Sequence, residues 1–140
     1  MQATVKWSGH MQFAGTGNAG HSVLMDGESK VANSPMELVL LALCGCTAYD
    51  VVSILQKKRE PPTAIEVSAH AEKAPEPPRV YTEIKLLYRV SGKVTRKAVE
   101  DAVRLSEDKY CSVAAMLNKT ARITYEIHLD KDKGSEKQKR

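Results

Sequence analysis

Apolar and polar residues along the chain change their spacing several times, and each change marks an element. Ala3 to Trp7 alternates loosely and predicts a first strand, with His10 to Phe13 able to pair beside it. Gly15-Thr16-Gly17-Asn18-Ala19-Gly20 predicts a glycine-rich loop. A strand follows from His21 to Met25, and Asp26-Gly27 is a turn signal. A phosphate-binding loop needs Lys-Ser/Thr and a helix after its last glycine. A strand follows instead, so a hairpin turn is the reading.

Asn33-Ser34-Pro35 is the strongest helix start in the sequence. Ser34 can cap, Pro35 suits the first helical position, and Glu37 completes a capping box. The helix is expected to run to about Lys58 and to stop before Pro61-Pro62. From Leu38 to Cys46 it is apolar on every face, and such a helix must be enclosed on all sides. A chain of 140 residues has difficulty supplying that enclosure alone, which argues for a homodimer.

Beyond it, Thr63 to Ala71 sets Ile65, Val67 and Ala69 against Glu66, Ser68 and His70, a half-buried strand. Three prolines within Lys73 to Arg79 make a loop, and Val80 to Val90 alternates again as an antiparallel partner. Tyr81, Glu83, Lys85 and Leu87 fall on one face, and Thr82, Ile84, Leu86 and Tyr88 on the other. Thr95 caps a helix with Ala98, Val99, Ala102, Val103 and Leu105 at helical spacing. The pattern breaks around Asp108 to Ser112, a short helix covers Ser112 to Lys119, and Ala121 to Leu129 closes as a strand. Strands and helices are segregated, so the fold class is α+β, in one domain over 1–130 with a polar tail at 131–140.

Composition changes the picture little. Apolar residues make up 42% and charged residues 27%, an ordinary globular balance that excludes wholesale disorder. The net charge of +4 sits mostly in Lys131 to Arg140, with five Lys/Arg against two Asp/Glu. The rest carries sixteen against fifteen. Seven aromatics, none interleaved with that tail, make a poor nucleic-acid reader. Leu38 to Tyr49 falls short of the ~20 residues a membrane span needs. The N-terminus has no signal-peptide pattern. A cytoplasmic, reducing setting is therefore expected, without membrane or nucleic-acid partners.

The chemistry-bearing residues are Cys44, Cys46 and Cys111. Cys44 and Cys46 lie two apart on a helix, ~200° apart in direction, so they cannot readily pair or grip one ion. The histidines His10, His21, His70 and His128 are scattered, so no metal site is expected. Cys46 has small neighbours in Gly45, Thr47 and Ala48, which leave room beside its sulfur. Cys111 stands just before a new helix, where backbone N–H groups favour a thiolate. The plainer reading is that both cysteines are small core residues, unless their sulfurs meet.

Ser34-Pro35-Met36-Glu37-Leu38 followed by Cys44-Gly45-Cys46-Thr47-Ala48, with Glu107-Asp108-Lys109-Tyr110-Cys111-Ser112-Val113 some 60 residues later, resembles the OsmC/Ohr family. The likeness runs from about Met1 to Leu129 and looks closest to the YhfA-like branch. It implies antiparallel sheets wrapped around long central helices in an intertwined homodimer. It also implies a thiol peroxidase acting on organic hydroperoxides, with Cys46 peroxidatic, Cys111 resolving, an external dithiol as reductant and no cofactor. Active members hold the thiolate with an Arg in the glycine-rich loop, oriented by a Glu ten residues before the peroxidatic Cys. Here the loop has no Arg and that position is Met36. Glu37, one step later, points ~100° away on a helix. Substitute cations would be Arg79, Arg104 or His21, and substitute orienting acids Glu37 or Glu107. Without such a cation, a Cys in apolar surroundings keeps its proton. The alternatives are then a dimeric protein holding an apolar small molecule in a cleft lined by Leu43, Ala48 and Met116, or a thiol redox sensor.

Overall fold

The computed structural model describes residues 1–130; the basic tail expected at 131–140 lies outside the described residues. The chain divides into two compact units, one over Met1–Leu41 and one from Ala42 onward.

The first unit holds strands β1 (Thr4–Gly9), β2 (Gln12–Thr16) and β3 (Ser22–Asp26), antiparallel in the order β1-β2-β3. The glycine-rich loop is shorter than its composition implied. Gly15 and Thr16 belong to β2 and pair across both neighbours, which leaves a tight turn over 17–21. That turn closes by Gly20 N–H to the Gly17 carbonyl at 3.1 Å and Gly17 N–H to the His21 carbonyl at 3.0 Å. Gly20 sits at φ +85°, a conformation that glycine adopts without penalty. At the end of β3, the buried Asp26 carboxylate accepts the N–H groups of Glu28, Lys30 and Val31 at 2.9, 3.1 and 3.0 Å. Those bonds hold the approach to the first helix and keep the Asp26 carboxyl below its ordinary range.

Helix α1 (Pro35–Lys57) begins with the predicted capping box. Glu37 N–H donates to Ser34 Oγ at 3.2 Å, and Ser34 N–H donates to Glu37 Oε1 at 3.0 Å. Its end is a Schellman turn. Arg59 takes φ +61°, Glu60 N–H reaches the Leu55 carbonyl at 2.9 Å, and Arg59 N–H reaches Gln56 at 3.0 Å. Leu43, Thr47, Val51 and Leu55 are the buried positions of α1, a single stripe at four-residue spacing. Other apolar positions stay open, Tyr49 at 74% exposure among them. The helix is longer than the apolar stretch suggested. By length and composition alone it could cross a bilayer, a test that core helices also pass. Its inward stripe is engaged with protein: Thr47 hydrogen-bonds to Tyr88 of the second sheet.

That sheet contains β4 (Ala64–Lys73), β5 (Tyr81–Ser91) and β6 (Arg122–Asp130) in the order β4-β5-β6. β4 and β5 are antiparallel, as expected. β6 runs parallel to β5, so the second sheet is mixed, where family likeness implied antiparallel pairing. The reason lies in the connection. Residues 92–121 carry the chain back through helices before β6 begins, and parallel strands need such a crossover. Ile84, Leu86, Tyr88 and Val90 face the core at period two. Tyr81, expected on the opposite face, is buried with them, because an irregularity at Glu72/Lys73 shifts its register. Helix α2 (Arg96–Leu105) is capped by Thr95, whose side chain accepts Ala98 N–H at 3.2 Å, and buries Ala98, Val99, Ala102 and Val103.

Between α2 and α3 (Ser112–Leu117) the break in the sequence pattern is a π-helical turn, Ser106–Tyr110. Cys111 N–H bonds the Ser106 carbonyl five residues back, at 2.8 Å.

Candidate functional site

The π-turn decides what reaches the interior. Its first residue, Ser106, is fully buried; Glu107 is half-buried; and Cys111, which follows its last residue, is buried and caps α3. Cys111 Sγ accepts Ala114 N–H at 3.3 Å. Opposite stands the face of α1 that carries Cys46, Thr47 and Asp50.

The sulfurs of Cys46 and Cys111 and a carboxylate oxygen of Asp50 all lie within 4.8 Å of one another. Cys46 and Asp50 are half-buried, whereas Cys111 is 2% exposed. All three cysteines are free thiols. Cys44 stands outside this cluster, and burial pushes its thiol upward.

Behind the thiols runs a buried line of hydroxyls. Ser106 Oγ donates to Asp50 Oδ2 at 2.8 Å and lies 2.8 Å from Thr47 Oγ1. Thr47 Oγ1 lies 2.7 Å from the Tyr88 hydroxyl, which donates to Glu107 Oε2 at 3.1 Å. Two carboxyl groups thus terminate one chain of three hydroxyls. The Tyr88 ring meets Tyr125 edge-on, with centroids 6.0 Å apart.

The electrostatics are acidic. Burial raises the Cys111 thiol well above the ordinary thiol range. The bond from Ala114 N–H pulls it down, while its hydrogen bond to Cys46 and the Glu107 charge push it up further. Burial also raises Glu107, opposed by the nearby hydroxyls of Tyr88 and Thr47 and reinforced by the Asp108 and Asp50 charges. Burial, then the Glu107 charge, keeps the proton on Tyr88.

Of the residues expected from sequence, Cys46 and Cys111 meet, and the Glu107 charge acts on Cys111. Arg104 does not take the role of thiolate cation: its guanidinium donates to Asp101 at 2.9 Å on the exposed side of α2. Arg79 is exposed in the turn before β5 and forms no ion pair among the described residues. Glu37 is committed to the N-terminus of α1, where it also receives the Ser29 hydroxyl. His21 is exposed in the first unit. Leu43, expected to line an apolar cleft, is instead fully buried in the core.

Sequence reasoning missed Asp50, Thr47, Ser106 and Tyr88. A signal for Asp50 existed, since a residue four after Cys46 on a helix shares its face. Nothing local marked Ser106 and Tyr88. A cavity of about 450 Å³, with Tyr49, Asp50, Ile54, Leu105 and Tyr110 on its walls, opens beside Asp50.

Two free thiols in contact, one on a long central helix and one at a helix junction, define a thiol protein of α+β fold. The chain belongs to the OsmC-like protein family, which matches residues 26–126. Protein YhfA of Escherichia coli K12 is 50% identical over 127 residues, covering 89% of this chain and 95% of that protein. A hypothetical protein of Aquifex aeolicus VF5 is 30% identical, with TM-score 0.86 over 94% of this chain and 97% of its own. The organic hydroperoxide resistance protein OhrB of Bacillus subtilis shares the fold at TM-score 0.67 and 11% identity, covering 91% and 98% of the two chains.

Proposed function

We propose that this protein is a two-cysteine thiol peroxidase that reduces organic hydroperoxides slowly, as a homodimer in a reducing, cytoplasmic setting. The observation that carries the reading is the approach of Cys46 and Cys111 to within 4.8 Å. Forming a bond of about 2.05 Å then requires only side-chain movement of a few ångströms. The roles follow from exposure. Cys46 is the reachable sulfur, and Cys111 is buried and holds its proton.

Cys46, as thiolate, attacks the outer peroxide oxygen; the O–O bond breaks, and the leaving alkoxide takes a proton to depart as alcohol. The Cys46 sulfenic acid then condenses with Cys111, releasing water and forming the disulfide. An external dithiol reduces that bond by exchange. Slow turnover fits a thiol pair without a neighbouring cation among the described residues. The Asp50 carboxylate adjoins both thiols, the Glu107 charge acts on Cys111, and no Arg or Lys pairs with either carboxylate among the described residues. The apolar residues that α1 and α3 leave open, Tyr49 and Met116 among them, support burial against a second copy.

Stopped-flow oxidation of the reduced protein by cumene hydroperoxide tests this reading. The expected result is oxidation lost in Cys46→Ser, with a Cys46–Cys111 disulfide in the wild type by mass spectrometry. Oxidation at the rate of free cysteine, with the disulfide still formed, would leave a redox sensor. Absence of the disulfide would end both readings.

A further inference from the structure

Asp50 is the piece that a thiol–disulfide pair does not require. It adds a carboxylate beside two sulfurs, and it makes no ion pair among the described residues. Three donor atoms of metal-ligating type share one partly closed site, and no Arg or Lys pairs with Asp50 among the described residues. The arrangement suits a cation drawn from solution.

From these residues we infer a binding site for a thiophilic divalent cation of the zinc class, formed by Cys46 Sγ, Cys111 Sγ and one carboxylate oxygen of Asp50. The donor set is chemically coherent. Two thiolates select zinc-like ions over magnesium or calcium, and a carboxylate oxygen is an accepted third ligand. The geometry is close. Bonds of about 2.3 Å to sulfur and about 2.1 Å to oxygen place tetrahedral ligands about 3.6–3.8 Å apart. The three donors already lie within 4.8 Å, so a contraction near 1 Å closes the site.

Two ligands come from one helix at four-residue spacing, and the third from the residue that ends the π-turn. The Asp50 carboxylate is already oriented, because the Ser106 hydroxyl donates to Oδ2 at 2.8 Å. This is the outer-shell support that metal-binding carboxylates receive. A cavity of about 450 Å³ has Asp50 on its wall. Lys57 and Lys58 also line that cavity; Lys58 is turned to Asp101, 3.9 Å away.

Binding changes no oxidation state. The ion displaces one proton from each thiol, and both sulfurs become ligands. A bound ion therefore occupies the electron pairs that would attack a peroxide. Conversely, two-electron oxidation of the pair to a disulfide by a hydroperoxide removes two ligands and releases the ion. Metal and disulfide are mutually exclusive states of one site.

The experiment titrates Co²⁺, then Zn²⁺, into the reduced full-length protein and into Cys46→Ser, Cys111→Ser and Asp50→Asn. The wild type should take one Co²⁺ per chain with sulfur-to-cobalt charge-transfer absorption, displaced by Zn²⁺. Either serine variant should lose that absorption. Asp50→Asn should weaken binding by more than about tenfold, the loss that even an outer-shell partner's removal produces. Thermal melts of all four proteins check folding, and Asp50→Asn retains the side-chain shape. A wild type without the charge-transfer bands overturns the site, and so does Asp50→Asn binding as tightly as wild type. Oxidation by cumene hydroperoxide is measured separately on metal-free protein, so failure of the redox reading does not register as failure of the metal site.

Discussion

Asp50 and Ser106, 56 residues apart in sequence, meet at 2.8 Å beneath the two thiols. Their contact is one end of a line that reaches Glu107 through Thr47 and Tyr88, and the line is short of a proton. Four oxygen–oxygen contacts need four protons, and the three hydroxyls supply three. With both carboxyls ionised, Ser106 donates to Asp50 and Tyr88 to Glu107, leaving one Thr47 proton for two neighbours. A proton on one carboxyl completes the set, and burial favours Glu107 as the holder.

Glu107 therefore makes stability depend on pH. Its folded-state ionisation lies above the ordinary glutamate value, so the folded chain binds the proton more tightly. The resulting stabilisation is complete below the unfolded value, near 4.5, and is lost as pH rises through the folded value. Glu107→Gln keeps a neutral donor for Tyr88 at every pH. It should match the wild type in acid and exceed it at pH 7–8, by about 1 kcal/mol, the scale of one buried hydrogen bond. Urea melts across that range check this. A stability difference that does not grow with pH would remove the shared proton.

Cys44 should be a bystander. Burial raises its thiol, and it stands two residues from Cys46, outside the cluster. Iodoacetamide should therefore alkylate Cys44 more slowly than free cysteine at pH 8, since the thiolate is the reacting form. Cys44→Ser should form the Cys46–Cys111 disulfide at the wild-type rate. Loss of that disulfide in the variant would place Cys44 in the exchange pathway.

Local chemistry explains what was legible. The Ser34–Glu37 box, the Thr95 cap and the alternation of β4 are short-range signals, and each is where the residues placed it. The parallel course of β6 is not local, because it depends on where a thirty-residue connection returns the chain. Tyr81 escaped its face because an irregularity leaves no strong mark in composition. Family likeness singles out Cys46 and Cys111, whereas periodicity alone reads both as core residues. Ser106, Thr47 and Tyr88 looked like ordinary helix and strand positions. Their function as a network exists only once α1, β5 and the π-turn are packed together.

Glu37 tests the difference between a structural and a catalytic acid. Its carboxylate receives Ser34 N–H at 3.0 Å, and Ser34 Oγ receives Glu37 N–H at 3.2 Å. Removing one partner of such a cap costs about 0.5–2 kcal/mol. Glu37→Ala and Ser34→Ala should each lower the chemical-denaturation midpoint by a corresponding amount and leave the oxidation rate of Cys46 unchanged. A rate loss in Glu37→Ala without one in Ser34→Ala would return Glu37 to the role of orienting acid.

Arg79 and Arg104 decide whether a guanidinium activates the thiol. Arg104 is paired with Asp101 at 2.9 Å, at more than half exposure, and water screens such a pair. Arg104→Ala should change stability by less than about 1 kcal/mol. Arg79 is exposed in its turn and has no acidic partner among the described residues, so Arg79→Ala should be silent in the melt. Neither substitution should slow oxidation of the reduced protein by cumene hydroperoxide, and the double variant should behave like the wild type. A tenfold slower oxidation in either variant would mean that its guanidinium reaches Cys46 in the working protein. The acidic surroundings of the thiols would then have a counter-charge, and slow turnover would need another cause.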